Sequence, residues 1–156
     1  MRLKIITVGE NRVSYLLSGE REYLKRLRHY CSIEIESVKG EKIKEGRPLD
    51  EILEREATRL RKLIKANSIK VILDVSGKEF TSPGLAEKIS TWRNKGTKNL
   101  IFIIGGPLGI CPYLREEADV VLALSKLTFP HEMVRLILLE QLYRTFTILR
   151  GESYHK

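Results

Sequence analysis

The chain has 156 residues, a length that suits one domain with a sizeable core. Its hydrophobic fraction of 42% and charged fraction of 31% describe a globular protein with a heavily charged surface, and no apolar run is long enough to cross a bilayer. A formal net charge of +8 and a pI near 9.6 favour a polyanionic partner, nucleic acid before an anionic membrane. Cys31 and Cys111 lie far apart and form no CxxC pair, so they read as reduced thiols rather than a disulfide framework. The expected location is the cytoplasm, because the start, Met1 to Ile6, reads as a strand and not as a signal peptide.

In chain order, the first element is a strand over Leu3–Val8. A helix over Glu20–Tyr30 follows, with Tyr23, Leu24 and Leu27 on one side, and then a strand over Ile33–Val38. Lys39–Pro48 is charged, contains Gly40 and Gly46, and reads as a mobile, solvated surface loop. Leu49–Ala66 places Ile52, Leu53, Ala57, Leu60 and Ile64 at helical spacing. Next comes a strand over Val71–Val75. Ser82 as N-cap and Pro83 at the first helical position then open a helix to about Lys95. A strand over Leu100–Ile104, a short helix over Pro112–Ala118, a strand over Val120–Leu124 and a helix from His131 to Leu149 complete the set. Alternating strands and helices without repeats or linkers predict a single α/β domain over residues 1–156 with a mostly parallel sheet.

Three segments at strand ends could enclose a ligand, since open α/β sheets bind at the carboxyl ends of their strands. They are Asp74, Ile103-Ile-Gly-Gly-Pro-Leu-Gly109 and the turn Leu124–Phe129. The glycine segment is not GxGxxG and no Walker lysine follows it, which argues against a dinucleotide or ATP site. By itself it reads equally as a ligand loop or a tight turn.

The last helix carries apolar residues around nearly its whole circumference, from Val134 to Ile148, so a second copy of the chain is expected to cover part of it. Arg135 follows His131 by one turn. Glu140 and Arg144 are spaced for an intrahelical ion pair. Arg135 and Arg144 fall on opposite faces and could serve one site only across a dimer. Gly151 is a helix terminator that frees Tyr154 and His155 to swing away as a tail.

Together, Ile104-Gly-Gly-Pro-Leu-Gly109, Leu124-Ser-Lys-Leu-Thr-Phe-Pro-His131, Leu139-Glu-Gln-Leu-Tyr-Arg144 and Gly151-Glu-Ser-Tyr-His155 closely resemble the RlmH family of SPOUT-class ribosomal RNA methyltransferases. The resemblance spans the full chain and departs from the family's commonest pattern at Glu132. It implies an α/β-knot fold with a C-terminal trefoil knot and a homodimer. It also implies S-adenosylmethionine as methyl donor, and N3 of a pseudouridine in a large-subunit rRNA stem-loop on the assembled ribosome as acceptor. The matching cofactor positions are Leu73, Gly105, Leu124, Ser125, Lys126, Leu127, Thr128 and Phe129. His131, Arg144, Tyr154 and His155 match the positions implicated in substrate binding or catalysis. A sulfonium carries its own leaving group, so no metal is expected. The base that takes the N3 proton is His131, Tyr154 or His155, and Arg144 can stabilise charge on a neighbouring carbonyl oxygen. The competing expectation is a catalytically inactive RNA- or ribosome-binding protein.

Overall fold

The apolar runs become five strands of one parallel sheet in the computed structural model, which describes residues 1–43 and 46–155. The elements alternate as β1 (Arg2–Val8), α1 (Ser14–Leu27), β2 (Ser32–Val38), α2 (Leu49–Arg61), β3 (Ser68–Glu79), α3 (Ser82–Asn94), β4 (Asn99–Ile104), α4 (Pro112–Glu116), β5 (Val120–Ala123) and α5 (His131–Arg150). The strand order is β2-β1-β4-β3-β5, and every pair is parallel. Parallel strands need crossovers, and here helices supply them.

The period-two alternation of the strands sorts the core into two layers. Leu3, Ile5, Val71, Leu100, Phe102 and Ile104 face a layer built with Leu27, Leu85, Ile89, Leu138, Leu139 and Leu142 from α1, α3 and α5. Ile6, Val8, Ile72, Ile101 and Ile103 face the opposite layer, with Leu53, Ala57, Leu60 and Leu114 from α2 and α4. Both faces of the sheet are covered, so β4 is apolar from Leu100 to Ile104 and even Lys4 and Thr7 of β1 are buried. Among the described residues, no helix is long and apolar enough to cross a membrane.

Several boundaries move from their expected places for identifiable reasons. Helix α1 starts at Ser14 rather than Glu20, and Gly19 within it lets α1 approach the Leu136 side chain of α5. The cap of α3 is Thr81, not Ser82. Its hydroxyl accepts from the Gly84 N–H at 3.1 Å, and Pro83 sits in the first turn. Helix α2 ends at Arg61 instead of Ala66, and Asn67 adopts a left-handed φ of 59° before β3. The described part of the 39–48 loop is anchored rather than free. Glu41 pairs with Arg47 and Arg59, and its N–H donates to Glu56 Oε1 at 2.9 Å; Lys44 and Glu45 fall outside the described residues.

Helix α5 is flanked by α1 and α3 within the same chain. Only Arg150 of its twenty residues is exposed, so the chain itself shelters more of this apolar helix than its sequence suggests.

The irregularity that shapes the site is in β3. Leu73 pairs with Leu122 of β5, and so does Lys78, which leaves residues 74–77 looped out of the ladder. Where the strand returns, a Cβ on Gly77 would lie 2.7 Å from the backbone carbon and oxygen of Val121. Only glycine fits between two main chains so close. Gly77→Ala should therefore lower unfolding stability by about 1–3 kcal/mol, as overpacking does. Urea denaturation measures this directly, and an unchanged midpoint would refute the close approach.

Candidate functional site

Strands β3, β4 and β5 end at one edge of the sheet, and the loops leaving them enclose a cavity of about 480 Å³. That lies in the range of ordinary small-ligand sites, roughly 300–1,000 Å³. The β3 loop-out supplies Leu73, Asp74 and Val75. The β4 loop contributes Gly105, Gly106, Pro107, Gly109 and Ile110. The β5 loop contributes Leu124, Ser125, Leu127, Thr128 and Phe129, and α5 closes the wall with His131 and Val134. Of the eight expected cofactor positions, all but Lys126 line this cavity; Lys126 is exposed on the outside of its turn.

The glycine segment is a tight turn that also lines the cavity. Gly109 N–H donates to Gly106 O at 3.0 Å, closing a tight turn. A Cβ on Gly105 would stand 2.4 Å from Gly109 O, so a side chain there would push the loop off its course. In the neighbouring turn, Ser125 Oγ accepts from Leu127 N–H at 3.0 Å and fixes the rim on that side.

Asp74 is held by its own loop. Its carboxylate accepts from the Ser76 N–H at 2.8 Å and from the Ser76 hydroxyl, while Arg115 donates to the same hydroxyl at 2.6 Å. Partial burial alone would raise its pKa. The Ser76 hydrogen bonds and the Arg115 charge outweigh that and hold the carboxyl below its ordinary value.

His131 opens α5 at the cavity rim, half-buried, with Nδ1 3.3 Å from Glu132 Oε2. On the other side of the ring, Nε2 faces Gly9 at the end of β1. One turn later Arg135 points inward and is only 8% exposed. Its guanidinium donates to Thr7 Oγ1 at 2.8 Å and Gly9 O at 3.2 Å, and it pairs with Glu20 of α1 at 3.6 Å. Arg135 is thus a positioning residue tying α5 to the end of β1.

Arg144, Tyr154 and His155 gather elsewhere. Glu140 Oε1 accepts from Arg144 Nε at 3.0 Å and Nη2 at 2.6 Å, the intrahelical pair expected from the spacing. The chain reverses at Gly151, whose φ is 68°. Gly151 N–H donates to Ile148 O and Glu152 N–H to Thr147 O, a Schellman closure. The tail does not swing away. Tyr154 lies back on α5, with its hydroxyl 3.2 Å from Glu140 Oε1 and 3.4 Å from Tyr23 Oη. The Arg144 guanidinium stacks over the Tyr154 ring, and Nη1 is 3.4 Å from His155 Nδ1. Burial first, then the Tyr23 hydrogen bond and the Glu140 charge, push the Tyr154 phenol well above its ordinary pKa. Packed this way it is a donor at neutral pH rather than a base. The Glu140 hydrogen bond likewise raises Arg144.

The four expected catalytic residues therefore form two groups within one chain. Arg144 is thirteen positions beyond His131 on α5. An α-helix puts such residues about 20 Å apart along the axis and about 140° apart around it. Sequence reading also missed two inward acids, Glu20 and Glu56, at 4% and 5% exposure, while Arg135, singled out by its spacing from His131, proves inward at 8%. The available signal was charge on a helical apolar stripe, such as Glu56 between Leu53, Ala57 and Leu60.

The Asp74 shift has a pH consequence. A carboxylate whose folded pKa is depressed contributes stability above its unfolded value, here near 3.8, and loses it as pH falls through the lower folded value. The stability gap between the wild type and Asp74→Asn should therefore be present at neutral pH and shrink in acid. A gap that stays constant under acid titration, followed by circular dichroism, would contradict the assignment.

Comparison with known proteins gives the chain a family. A family model described as "Predicted SPOUT methyltransferase" matches residues 1–155. The chain is 47% identical over 156 residues to the ribosomal RNA large subunit methyltransferase H of Desulfotalea psychrophila, covering 100% of both chains. It is 42% identical over 159 residues to the protein of the same name from Halothermothrix orenii, again covering 100% of each. A putative ribosomal RNA large subunit methyltransferase H from Methanococcus maripaludis is 44% identical over 160 residues with full coverage. Over its whole length, this chain belongs to the SPOUT methyltransferase family.

Proposed function

We propose that this protein transfers a methyl group from S-adenosylmethionine to N3 of a pseudouridine in a stem-loop of large-subunit ribosomal RNA, on the assembled ribosome, and that it works as a homodimer. The observation that carries the reading is the cavity at the β3–β4–β5 edge with His131 on its rim, in a chain whose full-length relatives bear the rRNA methyltransferase name. The net charge of +8 suits an RNA partner.

The cavity residues fit S-adenosylmethionine. Apolar walls from Leu73, Leu122, Leu124 and Phe129 suit an adenine ring, and main-chain groups of the two turns with Ser125 and Thr128 suit its polar edges. Gly105, with no Cβ, lets the cavity wall fold tightly onto Gly109. When bound, S-adenosylmethionine supplies an electrophilic methyl group with its own leaving group. Acceptor activation is then the task of the chain's side chains. As the N–CH3 bond forms and the S–CH3 bond breaks, the N3 proton must go to a base. His131 is placed for this, at a contribution of about 10²–10⁴ in rate. Arg144, held flat by Glu140, can neutralise charge on a carbonyl oxygen of the acceptor ring.

The two residue groups on one α5 support a site completed by a second chain: the donor cavity and His131 come from one subunit, and Arg144, Tyr154 and His155 from its partner. The family's trefoil knot belongs to the same proposal, in keeping with the backbone-on-backbone passage at Gly77 and Gly105. The cytoplasm is the compartment in which ribosomes meet such an enzyme.

Calorimetry in EDTA should show binding of S-adenosylmethionine and none of NAD, and ribosomes with labelled donor should acquire label in the rRNA. Deleting residues 153–156 should leave dimerisation and donor affinity nearly intact and remove most transfer. Mixing that deletion with His131→Ala subunits should restore activity, because one site of the heterodimer then carries neither defect. Activity that stays low in the mixture would place both groups in the same chain's site, and NAD binding without a response to S-adenosylmethionine would overturn the assignment.

A further inference from the structure

His131 and Pro107 belong to two cavities at once. Next to the donor cavity, across these two residues, lies a notch of about 220 Å³ at the end of β1. Its size suits a single ring rather than a whole cofactor. Val8, Gly9, Gly40 and Leu108 shape it, and Glu56 of α2 looks into it from the core side.

Glu56 is an unusual wall. It is 95% shielded from solvent, being 5% exposed, yet among the described residues no cation pairs with it. Oε1 accepts the Glu41 N–H at 2.9 Å, which occupies one oxygen. Oε2 has no hydrogen-bond partner among the described residues and lies on the side of Gly106, 3.3 Å from where a Cβ there would stand. The second acid in the notch, Glu41, is already matched by Arg47 and Arg59. Oε2 is not sealed off within the chain, and a ligand that covers it displaces hydration that only an N–H or O–H donor can replace.

Resting on the rRNA methyltransferase reading, we propose that this notch receives the acceptor base and that Glu56 accepts the N1–H of pseudouridine. In pseudouridine the ring is joined to ribose through carbon, so N1 and N3 both carry hydrogen, one on each side of the C2 carbonyl. Uridine has no N1–H because N1 bears the sugar. A ring that gives N1–H to Glu56 turns its N3–H edge toward His131, the residue shared with the donor cavity. Glu56 then reads the base as pseudouridine, and His131 meets the atom that is methylated. A uridine would leave the carboxylate buried and unpaired, and sites built on such a hydrogen bond reject the analogue that lacks it.

The test compares kcat/KM for ribosomes carrying pseudouridine or uridine at the target position, in the wild type and in Glu56→Gln. The glutamine oxygen can still accept the Glu41 N–H, so the loop keeps its anchor. We expect the wild type to prefer pseudouridine, and Glu56→Gln to lose about 10- to 100-fold on pseudouridine ribosomes, with the preference collapsing and the affinity for S-adenosylmethionine unchanged. Gly40→Leu is the second variant. A Cβ at Gly40 meets Val8 and Glu56 only at 3.4 and 3.6 Å, so leucine should fill the notch without breaking the fold or the donor cavity. It should abolish transfer while donor binding persists, and it keeps the proposal testable if Glu56→Gln does not fold. Unchanged selectivity in Glu56→Gln, full activity in Gly40→Leu, or a wild type indifferent to pseudouridine would each overturn this inference and leave the methyltransferase reading standing. A wild type that binds the donor but methylates neither ribosome would overturn both.

Discussion

The geometry of the whole carboxyl edge depends on one buried guanidinium. Arg135 reaches from α5 to the end of β1 and to Glu20 of α1, and Asn11 Nδ2 donates to the same glutamate at 2.7 Å. Asn11 Oδ1 in turn accepts the Val13 N–H at 3.0 Å where α1 begins. A charge pair so deep is costly to desolvate and contributes little net stability. Removing one partner, however, strands the other and costs about 3–5 kcal/mol. Its value is positional. It fixes the first turn of α5 against β1, and His131 is one turn from Arg135. The entrance to the donor cavity and the notch beside Glu56 therefore have a common, rigid boundary.

The second constraint is backbone crowding. Between Leu73 and Lys78 the β3 strand leaves the ladder and comes back to the same partner, Leu122. The β4 loop folds so tightly that Gly105 lies against Gly109 O. Main-chain packing, more than side-chain identity, thus builds the cavity, whose lining mixes leucine, glycine, serine, threonine and phenylalanine, with Asp74 already held by Ser76. Such a wall presents apolar surface and peptide groups, a surface matched to an adenosyl group rather than to a polyphosphate.

The strands and the layer sorting were legible in the sequence because parallel strands covered on both faces leave long apolar runs. Leu3–Val8 and Leu100–Ile104 were read within a residue of the observed strands. The cavity residues from Leu73 to Phe129 were legible only through motif resemblance, since no periodicity says that three loops meet. The polar residues 76–79 concealed the second half of β3, whose pairing is local to β5. Glu20 and Glu56 were hidden for a related reason: a glutamate on a helix reads as solvated surface unless its partners, or an unfilled notch, are visible in three dimensions. The tail was misjudged because Gly151 shows that a helix stops but not that Tyr154 folds back onto Glu140 and Tyr23.

The cavity and His131 lie at one end of α5, and Arg144, Tyr154 and His155 lie at the other, so one chain does not bring the two groups together. In the proposed homodimer, a tail already packed into a shaped, hydrogen-bonded surface would be presented to the partner with little further ordering. The most direct measurement is a crystal structure of the protein with S-adenosylhomocysteine, the demethylated product. The account predicts a two-chain assembly with the product between Leu73, Gly105 and the Leu124–Phe129 turn, and with the second chain's tail brought over His131. Product bound at another place, or a tail lying over the cavity of its own chain, would contradict it.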